Sequence, residues 1–217
     1  MRSSASRRSS APALRFLALG DSYTIGEMVE PEERWPAQLA VLLRQQGLAV
    51  ADPEIIARTG WTTDDLMAGI ERAAPEGRFD LVTLLVGVND QYRGRDAEEY
   101  RARFRALLVR SISFAGGEAG RVIVVSIPDW GATPFARGRD RARIAAEIDR
   151  FNAVNHDETE RAGARYTDVT GVSALSGAPG AEDLVAADGL HPTGAMYAEW
   201  ARRLLTHALR ALGRPPG

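Results

Sequence analysis

Short apolar runs alternate with segments of helical periodicity along most of the 217-residue chain. Five runs have the length of β-strands and end at turn residues: 14–19, 54–57, 79–86, 122–127 and 165–169. Five other segments carry apolar residues at helical spacing: 35–46, 64–74, 97–114, 141–162 and 197–212. Because strands and helices alternate, the pattern predicts one α/β domain with a parallel five-stranded sheet, right-handed crossovers and helices on both faces.

The two ends of the chain lack this pattern. Residues 1–13 are rich in serine and arginine and predict a disordered tail, with a targeting peptide or basic arm as the alternative. We expect the domain to span 14–213, with a tail at 214–217 and an irregular loop at 173–188 that holds one helical turn near 182–185. No stretch has the length of a secretory apolar region (about 7–15 residues) or a membrane span (about 18 residues), so we expect a cytoplasmic protein.

Composition excludes several kinds of chemistry. The chain has no cysteine, which rules out disulfides, thiol catalysis and cysteine-bound zinc. All 27 basic residues are arginine, so a lysine Schiff base and a P-loop lysine are also ruled out. The formal net charge of −2 predicts no general attraction to nucleic acid or to an anionic membrane.

Residues suited to acyl transfer follow the predicted strand ends. The motifs are Gly20-Asp21-Ser22 after the first strand, TGWT at 59–62, GVND at 87–90 after the most apolar strand, and DGLHP at 188–192. In an open α/β sheet the ligand binds at the carboxyl ends of the strands, so these motifs are expected to meet. A serine nucleophile needs a general base, the base needs an orienting partner, and the tetrahedral intermediate needs fixed donors.

Each motif also has an ordinary structural interpretation. Ser22 and Gly60 are common residues of turns, and Asn89 is typical of a left-handed turn or a cap. Asp188 stands three residues before His191, a spacing that lets a carboxylate reach Nδ1 in a tight turn and leaves Nε2 free. Pro192 is expected to open the closing helix, with His191 just before it. The two other histidines, at 156 and 207, fall in predicted helices, where solvated positions are expected.

Taken together, GDSYT, TGWT, GVND and DGLHP resemble the motifs of the GDSL, or SGNH, hydrolase family in order and context. The resemblance covers the chain from Leu14 to His207. It implies a flavodoxin-like three-layer α/β/α sandwich with strand order 2-1-3-4-5. It also implies Ser22 as nucleophile, His191 as general base and Asp188 as the residue that orients it.

The resemblance implies an oxyanion hole as well, formed by the N–H groups of Ser22 and Gly60 and the amide of Asn89. The mechanism that the resemblance implies requires no metal and no cofactor. Tyr23 stands where the family typically has leucine, a departure that bears on substrate preference more than on chemistry. The absence of a GxSxG motif argues against the α/β-hydrolase fold.

The expected function is hydrolysis of a carboxylic ester through an acyl-enzyme. The substrate would be a small or lipid-like acyl ester, in the manner of a lysophospholipase or a carbohydrate deacetylase. An acyltransferase and a catalytically silent binding module on the same fold are the alternatives. The oligomeric state is not predicted.

Four aromatic residues in loops at the ligand end are candidates for the wall of an acyl or sugar pocket: Trp61, Tyr92, Trp130 and Phe135. Packing in the core explains each of them equally well. Asp21 and Asp90 could form a carboxylate pair for glycosidase chemistry, but we favour the interpretation that they cap turns.

Four arginines crowd the start of the helix predicted at 141–162: Arg137, Arg139, Arg141 and Arg143. The helix dipole disfavours cations at this end. The cluster therefore indicates either an anionic neighbour, such as a substrate phosphate, or a solvated charged face, and the solvated face is the commoner case.

Overall fold

A computed structural model describes residues 12–173 and 184–214. Its centre is a parallel sheet of five strands in the order β2-β1-β3-β4-β5, which confirms the predicted topology. The strands are β1 Phe16–Gly20, β2 Glu54–Ala57, β3 Leu81–Leu85, β4 Val122–Val125 and β5 Arg165–Thr167. Residues of β1, β3 and β4 are fully buried, as expected for central strands covered on both faces.

Eight α-helices accompany the sheet in the described part of the chain. They are α1 Ser22–Ile25, α2 Trp35–Gln45, α3 Thr63–Ala73, α4 Val88–Tyr92, α5 Ala97–Phe114, α6 Arg141–Ala162, α7 Thr170–Ser173 and α8 Gly194–Ala211. Helices α2 and α8 pack against each other, whereas α5 packs against both α3 and α6. With right-handed crossovers these two groups cover opposite faces of the sheet, which gives the predicted three layers.

Three of the long helices, α3, α5 and α6, begin where a side chain satisfies free backbone N–H groups. Helix α3 opens with a capping box in which Thr62 accepts from the Asp65 N–H and Asp65 accepts from the Thr62 N–H. Asp96 caps α5 by accepting from the N–H groups of Glu98 and Glu99, and Asp140 caps α6 by accepting from the Arg143 N–H. These local signals explain why the predicted bounds of α5 and α6 agree with the structure.

Several elements differ from the sequence prediction. Helices α1 and α4 replace segments that we predicted as turn or loop, because four or five residues are too short to show a helical period. The closing helix starts at Gly194 with Thr193 as its N-cap, so the prediction that Pro192 opens it is wrong. Pro192 instead forms an isolated antiparallel bridge with Val185.

Four of the predicted strands are longer than the observed ones. Phe79 and Val86, for example, flank β3 and are buried without being part of the strand, because the apolar core extends beyond the hydrogen-bonded ladder. Residues 1–11, 174–183 and 215–217 lie outside the described part of the chain. The predicted tails and most of the loop at 173–188 therefore stay predictions. Within the described residues, no helix is both long enough and apolar enough to cross a membrane.

Candidate active site

The first part of the site is the turn that joins β1 to α1. Gly20 ends the strand, and a Cβ at this position would lie 2.2 Å from Thr24 Oγ1 and 2.4 Å from the carbonyl oxygen of Leu85. Only glycine fits so close an approach. Asp21 is the N-cap of α1 and accepts a hydrogen bond from the Tyr23 N–H at 3.1 Å. Ser22 is therefore the first residue of a helix, directly beyond the carboxyl end of the central strand.

Asp21 is fully buried beneath Ser22. Burial raises its pKa from 3.8 to about 8, although the hydrogen bond from the Tyr23 N–H opposes this shift. Its Oδ2 atom has no hydrogen-bond partner among the described residues. A carboxyl in this setting is protonated at neutral pH.

The second part is the loop after β2, which carries Gly60. Gly60 has φ of +80°, a backbone conformation that glycine adopts without strain. Its carbonyl oxygen accepts a hydrogen bond from Arg93 Nη2 at 2.7 Å, and the next carbonyl, of Trp61, accepts one from Asn89 Nδ2 at 2.9 Å. The Thr59 hydroxyl donates to the carboxylate of Glu27. Side chains from two other segments, α4 with its C-cap and the turn after α1, thus hold this loop.

Neither the N–H of Ser22 nor that of Gly60 donates a hydrogen bond within the described residues. Asn89, on α4, uses one amide hydrogen for Trp61, and an amide nitrogen carries two. The three groups predicted to form an oxyanion hole thus each keep at least one N–H available.

Asp90 has a structural role beside Asn89. It is fully buried and accepts hydrogen bonds from the backbone N–H and the hydroxyl of Thr63 at 2.9 and 2.8 Å. It also pairs with Arg95 Nε at 2.8 Å. Asp90 therefore ties the start of α3 to the α4 segment. Asp21 caps α1, so the structure favours structural roles for both aspartates over a glycosidase pair.

The third part is the tight turn that carries the histidine. His191 Nδ1 lies 2.5 Å from Asp188 Oδ2. The other oxygen, Oδ1, accepts from the backbone N–H groups of Leu190 and His191 at 2.9 and 3.0 Å. The Ala186 N–H closes the turn on the His191 carbonyl at 2.8 Å. The Phe135 N–H holds it from outside, at 2.8 Å from the Gly189 carbonyl.

These contacts keep Asp188 ionised and orient the ring of His191. Burial alone would raise the pKa of Asp188, but the hydrogen bonds from the His191 ring and from the two backbone N–H groups outweigh it and lower that pKa. Asp188 is thus a carboxylate at neutral pH. His191 Nε2 has no partner within the described residues, and the ring packs 5.4 Å from the ring of Tyr23.

The three parts meet in one cleft of about 210 Å³. Its walls are mostly apolar and consist of Ser22, Tyr23, Thr59, Gly60, Val88, Asn89, Tyr92, Trp130, Phe135, Leu190 and His191. The cleft brings together the predicted nucleophile, general base and oxyanion donors, with three of the four predicted aromatic residues. Thr59, Val88 and Leu190 were not predicted as site residues, although each belongs to one of the four motifs.

Trp61, the fourth aromatic candidate, does not line this cleft. Its ring covers Gly69 on α3, where a Cβ would lie 2.3 Å from the ring. The indole therefore packs on the helix, and Trp61 contributes only its carbonyl oxygen to the site.

The remaining histidines lie away from the cleft. His156 is exposed on α6, with its ring 5.0 Å from that of Tyr166. His207 is half-buried on α8, where burial lowers its pKa. Within residues 12–173 and 184–214, no three histidine or acidic side chains are grouped so that they could hold a metal ion.

The comparison with known families matches this arrangement. The model of the GDSL-like lipase/acylhydrolase family matches residues 18–199, so the chain belongs to that family. It is thus an enzyme of the ester-hydrolysing GDSL/SGNH type, as the four motifs predicted. No curated protein sequence matches the chain closely enough to count as a relative.

Solved structures share the fold at low sequence identity. TesA is 20% identical, with 91% of this chain and 99% of that chain covered and a TM-score of 0.68. The psychrotrophic esterase EstA from Pseudoalteromonas is 17% identical, with 92% and 99% covered and a TM-score of 0.66. A variant of Axe2, an acetyl-xylooligosaccharide esterase from Geobacillus Stearmophilus, is 22% identical, with 92% and 94% covered and a TM-score of 0.67. These similarities confirm the predicted three-layer α/β/α architecture.

Proposed function

We propose that this protein hydrolyses short-chain carboxylic esters through an acyl-enzyme at Ser22. The observation that carries the proposal is the convergence of Ser22, Gly60, Asn89 and His191 on one cleft, with His191 Nδ1 held by Asp188. A serine, a histidine held at Nδ1 by a carboxylate, and a set of free N–H groups are the parts that acyl transfer needs.

In the first half of the reaction, the Ser22 Oγ attacks the ester carbonyl while His191 Nε2 takes its proton. The bond to Asp188 keeps the neutral ring in the tautomer with hydrogen on Nδ1, and the carboxylate stabilises the imidazolium that forms. The imidazolium then gives the proton to the leaving alkoxide, and the acyl group stays on Ser22.

In the second half, water attacks the acyl-enzyme with His191 again as base. Collapse of the intermediate breaks the bond to Oγ, and the proton returns to Ser22 as the acid leaves. In both halves the oxyanion is stabilised by the N–H groups of Ser22 and Gly60 and by the second amide hydrogen of Asn89. Because Arg93 and Asn89 hold the Gly60 loop in place, these donors need little reorganisation during the reaction.

The size of the cleft favours a short acyl group. Its volume of about 210 Å³ is below the roughly 300–1,000 Å³ of pockets that enclose a drug-sized ligand. Trp130 is almost completely buried in its wall, fixed by a hydrogen bond from Nε1 to Gln91 at 2.8 Å. An acetyl or butyryl group is therefore a better fit than a long lipid chain.

The test is covalent labelling with a fluorophosphonate, followed by digestion with trypsin. Cleavage after Arg15 and Arg34 releases one peptide in which Ser22 is the only serine. We expect the label on this peptide in the wild type, none on Ser22→Ala, and full labelling of the control Ser113→Ala, whose serine is exposed on α5. Hydrolysis of para-nitrophenyl esters should fall as the acyl chain lengthens from acetate to octanoate.

Labelling of Ser22→Ala at the wild-type rate would contradict the nucleophile assignment. A wild-type protein that takes no label and cleaves no ester would instead favour the silent binding module.

A further inference from the structure

Arg139 lies at the edge of the Ser22 cleft, over an aromatic trio formed by Tyr92, Trp130 and Phe135. Its guanidinium carbon is 5.4 Å from the ring centres of Tyr92 and Trp130 and 5.1 Å from that of Phe135. Its Nη2 donates a hydrogen bond to the Tyr92 hydroxyl at 3.2 Å. All three rings also line the Ser22 cleft, so Arg139 is held beside the site by its walls.

The aromatic trio is itself fixed in place. Its rings contact one another edge to face, with centres 5.4 Å apart for Tyr92 and Trp130 and 6.0 Å apart for Trp130 and Phe135. Gln91 accepts from Trp130 and donates to Glu147 at 2.8 Å, which anchors the trio to α6. The Arg139 guanidinium lies within the distance of about 6 Å at which such rings attract a cation.

Within the described residues, Arg139 has no acidic partner, in contrast to Arg143. Arg143 pairs with Glu147 at 2.7 Å, and Arg141 donates to the Thr133 carbonyl oxygen at 3.2 Å. No carboxylate of the described residues lies within ion-pair distance of Arg139, which stays exposed. A guanidinium has five N–H donors, and only one contact here uses any of them.

A second, larger cleft begins where the first one ends. It has a volume of about 560 Å³ and shares Tyr92 and Trp130 with the Ser22 cleft, and Arg139 lines it. The walls of this second cleft are largely polar and charged. An ester with its acyl group in the small apolar cleft would thus extend its alcohol part across the trio, towards Arg139.

We propose that Arg139 binds an anionic group, a carboxylate or a phosphate, on the alcohol part of the ester. The proposal rests on the proposed esterase function and specifies its substrate class. A guanidinium fixed in a plane matches such oxyanions with paired N–H donors. It also gives a binding role to one of the four arginines that cluster at the start of α6.

The test uses pairs of esters that differ in charge. Para-acetoxybenzoate and para-acetoxyphenyl phosphate carry the anion on the alcohol side, and para-acetoxybenzamide is their neutral counterpart. Para-nitrophenyl hemisuccinate and para-nitrophenyl butyrate form a second pair, in which the anionic and the neutral ester differ on the acyl side. For each variant, the quantity compared is the ratio of kcat/KM for the anionic ester to kcat/KM for the neutral ester.

In Arg139→Gln we expect this ratio to fall about tenfold for one or both alcohol-side anions, mainly through KM, because the contact is made equally in ground state and transition state. Arg139→Lys should retain part of the preference, since it keeps the charge but loses the planar donor set. Arg137→Gln is the matched control, because it removes the same charge two residues away, and its ratio should equal that of the wild type. Added salt should narrow the wild-type preference.

A ratio unchanged in Arg139→Gln would overturn the proposal, as would a loss confined to the succinyl ester. Failure of the proposed esterase function would give a different result. In that case, hydrolysis of the neutral esters would survive Ser22→Ala. A fall with the carboxylate, the phosphate or both supports the proposal and identifies the anion.

Discussion

Two turns of the molecule each place an aspartate close to a proposed catalytic side chain, and the pKa of the carboxyl is raised in one turn and lowered in the other. In the nucleophile turn, Asp21 is fully buried and its Oδ2 has no partner in the part of the chain that the structure describes, so its pKa rises to about 8. In the histidine turn, Asp188 accepts three hydrogen bonds, and its pKa falls below the ordinary value. Burial raises the pKa of both carboxyls, but Asp21 is completely buried with one side-chain hydrogen bond, whereas Asp188 is partly exposed and accepts three. Burial therefore dominates for Asp21 and hydrogen bonding for Asp188.

The difference suits the reaction proposed for the site. Negative charge develops on the oxyanion beside Ser22, where an ionised Asp21 would oppose it. Positive charge develops on the His191 ring, where an ionised Asp188 stabilises it. The same residue type thus serves as a neutral cap in one turn and as a charged partner in the other.

The largest effect should come from the histidine turn. His191→Ala should lower kcat by roughly 10⁴–10⁶, because nucleophile and base act as a unit. It should also remove the rise of kcat/KM with pH, since only the neutral imidazole can accept the serine proton. The measurement is a profile of kcat/KM against pH on a short-chain ester. His156→Ala and His207→Ala are the controls, and a profile that survives in His191→Ala but disappears in either control would contradict the assignment.

Asp188→Asn tests whether the negative charge beside His191 is needed, because it removes the charge of the side chain and keeps its shape. The amide would donate to His191 Nδ1 and favour the tautomer that cannot accept a proton at Nε2, so kcat should fall by about 10⁴. Far-ultraviolet circular dichroism should stay that of the wild type. A variant with nearly full activity would show that this carboxylate is not needed as a charged partner.

The next effect concerns the donors beside Ser22. Asn89→Ala should lower kcat by about 10²–10³, the usual loss for one oxyanion donor, with a smaller change in KM. The contact between Asn89 and the Trp61 carbonyl also supports the Gly60 loop, so a second variant separates the two roles. Arg93→Gln weakens the support of that loop and leaves Asn89 in place. If both variants lost the same activity, Asn89 would act through the loop instead of as a donor.

The fold was predictable where local signals are strong. Helices α5 and α6 are long and capped by Asp96 and Asp140, and their predicted bounds agree with the structure. Helices α1 and α4 were missed because so short a segment has no period of its own, and the packing of the fold stabilises it. The start of α8 was misplaced because Pro192 pairs with Val185, a contact that depends on the course of the preceding loop.

The motif residues of the site could be predicted from the sequence, whereas the residues that line and border the cleft could be predicted only in part. Ser22, Gly60, Asn89 and His191 follow strand ends or precede a helix, so topology alone brings them to one edge of the sheet. The sequence left open whether Trp61 lines the pocket or packs in the core, because the direction of its ring depends on the absence of a side chain at Gly69 on the following helix. The position of Arg139 over its rings depends on contacts between segments almost 50 residues apart, as in its bond to Tyr92 across 47 positions.

The smallest effect on rate, and the sharpest test of the comparison, belongs to Asp21→Asn. An amide resembles a neutral carboxyl, so the loss of activity should be smaller than in Asn89→Ala.

In the wild type, Asp21 binds a proton in the folded state up to about pH 8 but in the unfolded chain only up to about 3.8. Its contribution to stability is therefore full below pH 3.8 and is lost as pH rises towards 8, by at most about 1.4 kcal/mol per pH unit. Asparagine cannot ionise, so unfolding by urea at pH 5, 6, 7 and 8 should show a weaker loss of stability with pH in Asp21→Asn. The variant should be less stable at pH 5, where its amide leaves a buried donor unpaired at a cost of about 1–3 kcal/mol. The wild type should lose about 4 kcal/mol between pH 5 and 8, so the two stability curves should cross within this range. Parallel stability curves for the wild type and Asp21→Asn would mean that Asp21 is already ionised in the folded protein, and the contrast between the two turns would disappear.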